Sequence, residues 1–479
     1  MAELEAVIGL EIHVQLATKT KMFCGCALSF GDEPNIHTCP VCLAHPGVLP
    51  VPNEQAIRYA LLIAAALECE VAPRSIFHRK NYFYPDNPKA YQISQYDIPL
   101  ASNGKLGDVR IHRAHLEEDA AKMVHVGESG RIHGSGASLV DFNRGGTPLV
   151  EIVTEPDLRD AAEAAQWARL LRETVRQLGV SDVNMEEGSL RVDANVSIRP
   201  VGSTELGTKT ELKNMNSFRF LQRGVEAELE RQRRLVEAGG TVEQETLHFD
   251  PASGSLTSLR SKEEAHDYRY FPEPDLVPLA PTEGMLQEAR EALPELPAAR
   301  IERYVGMGLA EDVAMTLATH PETADFFERA DAVAGTVEPR VLANWVTGEL
   351  AAALRQANEE GSATDSKLTP EALASLVAMV GEKKISHGSG KTVLAALVAE
   401  GGDPEAIVAR EGLAQMAADD GELEAIVAAA IGANPEAAEQ IRAGNEKAIG
   451  AIVGQVMRET KGRADGGEVN RLIREQLGA

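Results

Sequence analysis

The chain has 479 residues, 44% of them hydrophobic and 25% charged, with 73 Asp+Glu against 47 Lys+Arg and a net charge of −26. That length exceeds a single core and implies two or three domains, and the composition is that of a globular protein rather than a disordered one. The charge excludes a general polyanion binder, so any nucleic acid must dock on local basic patches in a repulsive field.

The acidic opening Met1-Ala2-Glu3-Leu4-Glu5 does not read as a secretory leader. Val7–Leu16 is a short β-rich run and reads as a strand, and the apolar run Leu61–Leu67 is too short to cross a bilayer, so it reads as a helix core. A cytoplasmic protein with no membrane partner is expected. Asp160–Leu178 predicts a helix with Ala161, Ala165, Ala168 and Leu171 near helical spacing, and Leu190–Ile198 predicts a strand. Ser217–Glu237 predicts a second helix with Phe218, Leu221, Val225 and Leu229 on one face. After Pro294 the chain turns Ala-rich, with helix starts at Thr369-Pro370-Glu371 and Asp403-Pro404-Glu405 and a polar loop at Asn358–Ser366. A second change falls around Glu405–Leu413. The expected fold class is therefore α+β: an N-terminal body over 1–294, an all-α middle over 295–408 and a small all-α tail over 409–479.

Four of the five cysteines bunch as Cys24-Gly25-Cys26 and Cys39-Pro40-Val41-Cys42. Two close thiolate pairs suit tetrahedral Zn²⁺, with reduced or redox thiols as the alternative and His37 and His45 as competing ligands. Cys69 reads as a buried structural thiol. Acidic residues recur in strand or turn contexts: Glu11 beside His13, Glu117, Glu118 and Asp119, Glu151, Glu186 and Glu187, Asp193 beside Asn195, and Glu211. Positions two apart share a strand face, so Glu11 with His13 and Asp193 with Asn195 each point one way. Taken singly, each is as readily a solvated face; converging, they would make an oxygen-rich pocket for Mg²⁺.

Arg79–Gln92 concentrates four aromatics and three cations, a composition suited to stacking on a base or ribose and gripping phosphates. Asp141–Pro148 offers Gly145-Gly146 amides beside Arg144, an anion cradle or a plain turn. Gly388-Ser389-Gly390-Lys391-Thr392 imitates the end of a P-loop, but Ile385 stands where its first glycine belongs, and a flexible connection between helices is expected. Gly134–Ser138 reads as a Gly/Ser turn without the context of an amidase nucleophile.

Four strings together resemble the B subunit of the tRNA-dependent amidotransferases: Val7–Leu16, Arg79–Asp86, Glu186–Asn195 and Asp267–Leu276, with the likeness continuing through Met457–Asp465. The resemblance implies a cradle domain built on an antiparallel sheet with flanking helices, then a helical domain and a tRNA-binding tail. It implies a ligase that converts Glu-tRNA(Gln), and often Asp-tRNA(Asn), to the amide. ATP would phosphorylate the esterified side-chain carboxylate, and ammonia from a glutaminase A subunit, held by a small C subunit, would displace the phosphate. Carried onto this chain, the Mg²⁺ and catalytic candidates are Glu11, His13, Glu117 or Glu118, Asp193 and Glu211, with Glu151 a further one. Lys80, Lys89 and Arg144 are the cofactor-binding candidates. Some members lack the cysteines, which implies a structural zinc on Cys24, Cys26, Cys39 and Cys42. The tail's Lys447, Arg458, Lys461, Arg463, Arg471 and Arg474 are the candidate tRNA patch, interleaved with Glu446, Glu459, Asp465, Glu468 and Glu475 as solvated helix charges would be. A non-catalytic tRNA-binding scaffold and a nucleotide-using ligase acting on a small acid are the competing readings.

Overall fold

The computed structural model describes residues 3–478 apart from 127–135, 214, 262–266, 358–365, 416–420, 443–444 and 461–462. The predicted loop at Asn358–Ser366 lies outside the described residues except for Ser366. So do Gly134 and Ser135, whereas Ala137 and Ser138 belong to a strand rather than a turn. The chain forms two units, Met1–Ala298 and Ala299–Ala479.

In the first unit the strands are β1 (Leu4–Gln15), β2 (Glu70–Val71), β3 (His78–Asn81), β4 (Tyr91–Ser94), β5 (Ala101–Leu106), β6 (Val109–Glu118) and β7 (Lys122–Val126). They continue as β8 (Ala137–Asp141), β9 (Pro148–Thr154), β10 (Leu190–Pro200), β11 (Thr210–Lys213), β12 (Glu245–Asp250), β13 (Ser255–Ser261) and β14 (Phe271–Pro272). Its helices are α1 (Glu54–Ala66), α2 (Ala161–Gln177), α3 (Phe218–Glu237) and α4 (Glu283–Glu291). Nine strands make one sheet in the order β13-β12-β11-β10-β1-β9-β6-β5-β2; β14-β3-β4 make a second sheet and β7-β8 a hairpin. The expected antiparallel sheet has one exception. β11 and β12 pair in parallel, because α3 lies between them and returns the chain to the same end.

Period-two alternation gives the large sheet two unlike faces. Ile8, Leu10, Ile12 and Val14 of β1, Val150 and Ile152 of β9, Val192, Ala194 and Val196 of β10 and Leu212 of β11 are all buried. α3 packs on β10 and α2 packs on α3, both presenting the apolar stripes read from the sequence. Asp160 caps α2 by accepting from Glu163 N–H, and Ser217 caps α3 by accepting from Phe220 N–H. Each such cap is worth about 1 kcal/mol.

The second unit is all helical: α5 (Pro297–Gly306, opening in the first unit), α6 (Glu311–Ala318), α7 (Pro321–Val333), α8 (Pro339–Asn344), a π-turn segment Trp345–Leu350, α9 (Ala351–Ala357), α10 (Pro370–Gly381), α11 (His387–Glu400) and α12 (Pro404–Glu411). Then follow α13 (Glu422–Ala433), α14 (Pro435–Arg442), α15 (Ile449–Glu459) and α16 (Gly466–Leu477). Its buried apolar residues form two separate clusters, one drawn from Tyr304 to Leu413 and the other from Leu423 to Leu477. Thr369 and Asp403 cap α10 and α12 as their sequence contexts predict. The P-loop imitation is not a flexible connection: Ser386 caps α11, and residues 388–392 lie in its first turns. Gly390 is there for packing, since a Cβ would sit 2.9 Å from Trp345 and Val380.

Leu373 is fully buried in the same cluster as Trp345. Leu373→Ala should destabilise the second unit by about 2–5 kcal/mol, the cost of a core cavity. Urea titration followed through Trp345 fluorescence, with Trp167→Phe in the background, measures it; a shift below ~0.5 kcal/mol would contradict this core assignment.

Candidate active site and cysteine cluster

The polar face of the large sheet is assembled by register. Glu11 pairs with Asp193 across β1–β10, His13 pairs with Glu151 across β1–β9, and Glu151 pairs with His115 across β9–β6. Opposed residues share a face, so positions remote in sequence meet. His13 Nε2 lies 3.7 Å from Glu11 Oε1, 3.7 Å from Glu117 Oε1 and 3.5 Å from Glu151 Oε2. His115 Nε2 lies 3.6 Å from Glu151 Oε2. Glu11, His13 and Asp193 can each offer a ligand atom within 4.8 Å of the others, as can His13, Glu117 and Glu151. Oxygen and imidazole donors at that separation fit a hard divalent cation. Beside them opens a hollow of about 270 Å³, lined by His13, Lys80, Glu117, Arg191, Asp193 and Lys213 among others.

Burial and the charge of Glu151 push the Glu11 carboxyl above its ordinary pKa. Burial opposes the charge of Glu151 too, but His115, His13 and Lys80 hold it well below the usual carboxylate range. His13 resists burial in the same way and is raised by Glu151 and Glu117, whereas burial wins at His115 and lowers it. Burial likewise works against Lys80, yet Glu117 and Glu151 raise its pKa. The site is thus a set of carboxylates interleaved with cations.

Not every candidate joins it. Glu118 points to the opposite side of β6, where it accepts from Lys89 Nζ and, at 3.0 Å, from Ile93 N–H. Lys89 is therefore engaged away from the hollow. Glu211 is drawn to Lys213 Nζ at 3.0 Å, and the same ammonium reaches Asp193 at 2.7 Å. Arg144 donates to the carbonyls of Ala120 and Ala121, and Gly146 N–H donates to Asp119 O, so these donors are engaged by the 119–121 segment. Asp119 in turn accepts from Gln15 and Arg191. Of the cation candidates, Lys80 alone lines the hollow. Sequence reasoning missed Arg191, Lys213 and His115. The same two-residue spacing would have found them, since each lies two positions from Asp193, Glu211 or Glu117.

The Sγ atoms of Cys24, Cys26, Cys39 and Cys42 lie within 4.8 Å of one another, and no disulfide joins them. A hydrogen bond from Cys24, opposed by burial and aided by the Cys39 amide and Lys21, lowers Cys42 to a pKa of about 4. Four sulfurs so gathered fit a tetrathiolate metal site. His37 is not a fifth donor, because its Nε2 binds Asp32 at 2.7 Å. Lys21, fully buried, donates to Phe142 O at 2.9 Å and reaches Cys42 Sγ at 3.7 Å. Cys69 is only half-buried; burial pushes its thiol up to about 12, and it packs over Gly104, where a Cβ would come within 2.3 Å of its sulfur.

In the tail, Arg471 pairs with Glu468 at 2.6 Å and Glu475 at 2.8 Å, while Lys447, Arg458 and Arg474 are exposed. Arg463 donates to Thr460 O, and Lys461 lies outside the described residues.

Residues 6–287 match the family model described as the GatB/GatE catalytic domain, and residues 325–477 match the GatB domain. The chain is 50% identical to the B subunit of the aspartyl/glutamyl-tRNA(Asn/Gln) amidotransferase of Carboxydothermus hydrogenoformans and 49% identical to that of Brevibacillus brevis. Each match covers 100% of this chain and 99% of the relative.

Lys213 is the cation between Asp193 and Glu211, about a third exposed. Lys213→Met should destabilise the first unit by about 1–2 kcal/mol, discounted for solvent screening, and Glu211→Gln in the same chain should recover part of it. A double-mutant cycle in urea measures the coupling; strict additivity would show that Lys213 and Glu211 do not interact.

Proposed function

The chain belongs to the B-subunit family of the tRNA-dependent amidotransferases, glutamine-hydrolysing ligases, and on that premise we propose that its polar sheet face activates the carboxylate of an amino acid esterified to tRNA. The observation that carries this reading is the meeting of Glu11, His13, Glu117, Glu151 and Asp193 from four strands, with His13, Glu117 and Asp193 lining the hollow beside them. A carboxylate is a poor electrophile because its oxygen cannot leave; phosphorylation supplies the leaving group. In the proposed sequence a side-chain carboxylate oxygen of Glu-tRNA(Gln) or Asp-tRNA(Asn) attacks the γ-phosphorus of ATP and ADP departs. Ammonia then attacks the acyl carbon, inorganic phosphate leaves with its bridging oxygen, and the amide remains.

Glu11, His13 and Asp193 are the proposed ligands of a Mg²⁺. When bound, the ion neutralises phosphate oxygens during transfer. Lys80, held cationic by Glu117 and Glu151, steadies the transferred phosphoryl group from the wall of the hollow. Glu117 stands beside it to receive the proton shed by the attacking ammonia. Glu151 orients His13 and His115, and Lys213 positions Asp193 while occupying Glu211. The four cysteines hold a structural Zn²⁺. Ammonia comes from a glutaminase A subunit held to this chain by a small C subunit, and the tail's exposed cations contact the tRNA.

Three measurements test these assignments. In the assembled enzyme supplied with misacylated tRNA, Mg-ATP and free ammonia, Glu11→Ala should lower amide formation by at least about a hundredfold while glutamine hydrolysis persists. Undiminished amide formation would leave only a tRNA-binding scaffold. Purified protein should carry about one zinc per chain, lost in Cys39→Ser together with local stability; metal-free wild-type protein of normal stability would refute this. Deletion after Glu411 should weaken tRNA affinity with a flatter salt dependence and spare glutamine hydrolysis, and equal affinity would overturn the tail's role.

A further inference from the structure

Beyond the carboxylates, the wall of the hollow continues into a row of tyrosines that the proposed chemistry does not use. Tyr82 lines the hollow and meets Tyr268 edge-on, ring centres 6.3 Å apart. Tyr268 meets Tyr270 at 6.1 Å, again edge-on, and Tyr270 lies flat against Tyr96 with centres 4.3 Å apart and planes 8° from parallel. The row is assembled from three chain segments at the ends of β3, β4 and β14, so it is built by the small sheet rather than by local sequence. It ends in the open: Tyr96 is 54% exposed, with His78 edge-on to it at 6.5 Å. Core packing does not require four tyrosines here, in a chain with only 4% aromatic residues.

Lys80 joins the row to the hollow. Its Nζ lies 5.0 Å from the centre of the Tyr268 ring, and the same side chain lines the hollow with His13 and Glu117. A flat ligand carrying phosphate or ester oxygens on one side would find stacking surface along the row and a cation at the junction with the carboxylates. We propose that the row is a stacking site for an adenine ring, seated on the exposed Tyr96, which Tyr270 backs from its other face, with its ribose directed towards Lys80. Both substrates in the proposed reaction carry that ring: ATP as its base, and the charged tRNA as its 3′-terminal adenosine. The inference rests on the proposed function and adds the element that recognises the substrate.

The test uses the assembled enzyme with saturating free ammonia, measuring KM for Mg-ATP at saturating misacylated tRNA and KM for the tRNA at saturating Mg-ATP. Tyr96→Ala should raise one of these by about tenfold, with KM carrying more of the loss than kcat. Tyr96→Trp should restore it, because the ring and not the hydroxyl does the stacking. A rise for Mg-ATP assigns the site to the nucleotide base; a rise for the tRNA assigns it to the terminal adenosine. Wild-type KM values for both substrates in Tyr96→Ala and in Tyr270→Ala would overturn the stacking site, as would a loss confined to kcat. Glu11→Ala, assayed alongside, separates the two failures. If it abolishes amide formation while the tyrosine variants match wild type, only the adenine site falls; if it leaves amide formation intact, the underlying reading falls.

Discussion

The register of β1 against its two neighbours is the constraint on which the site depends. One strand places Glu11 opposite Asp193 and His13 opposite Glu151, so a single backbone ladder sets the separations among residues from three parts of the chain. Slipping that register by one residue would turn every donor into the apolar side and bring Leu10, Ile12 and Val14 to the hollow. The buried face prevents this, because those residues pack against the face covered by α3. Hydrophobic burial on one side of the sheet therefore fixes polar geometry on the other.

Gathering carboxylates on a half-buried surface has a cost, and the cations next to them offset it. A lone ionised carboxylate in such a place loses several kcal/mol of hydration, about the scale seen when one partner of a buried pair is removed. His13 and His115 stand against Glu151, Lys213 bridges Asp193 and Glu211, and Arg191 and Arg144 lower the Asp119 carboxyl against the pull of burial. Glu11 is the member left with its pKa raised, by burial and by Glu151. A cation added beside it would relieve that cost.

The fold was largely legible because its signals are local. Capping residues such as Asp160, Ser217, Thr369 and Asp403 announce helices through side-chain-to-backbone hydrogen bonds that need no tertiary information. The parallel β11–β12 pair was not legible, since pairing direction follows from where the crossover helix packs. Around the site, spacing could say that Glu11 and His13 share a face, but not that Glu118 and Lys89 turn away from it or that Arg144 satisfies neighbouring carbonyls. The first depends on which way β6 presents its alternate residues, the second on how the turn at 141–148 folds back on Ala120 and Ala121. Residues 388–392 read as a flexible connection because the close approach of Trp345 and Val380 that calls for a glycine at 390 is a tertiary contact invisible in the sequence.

Lys21 ties the cysteine loop to the turn that carries Arg144. It is wholly enclosed, donating to Phe142 O with the Cys42 sulfur at 3.7 Å, while the neighbouring Met22 N–H donates to Gly146 O at 2.7 Å. An enclosed ammonium is tolerable while thiolates lie beside it and becomes a liability once they are gone. A lineage that discards the four thiols thus inherits a stranded positive charge, and the lysine should be traded for a neutral residue in the same evolutionary step.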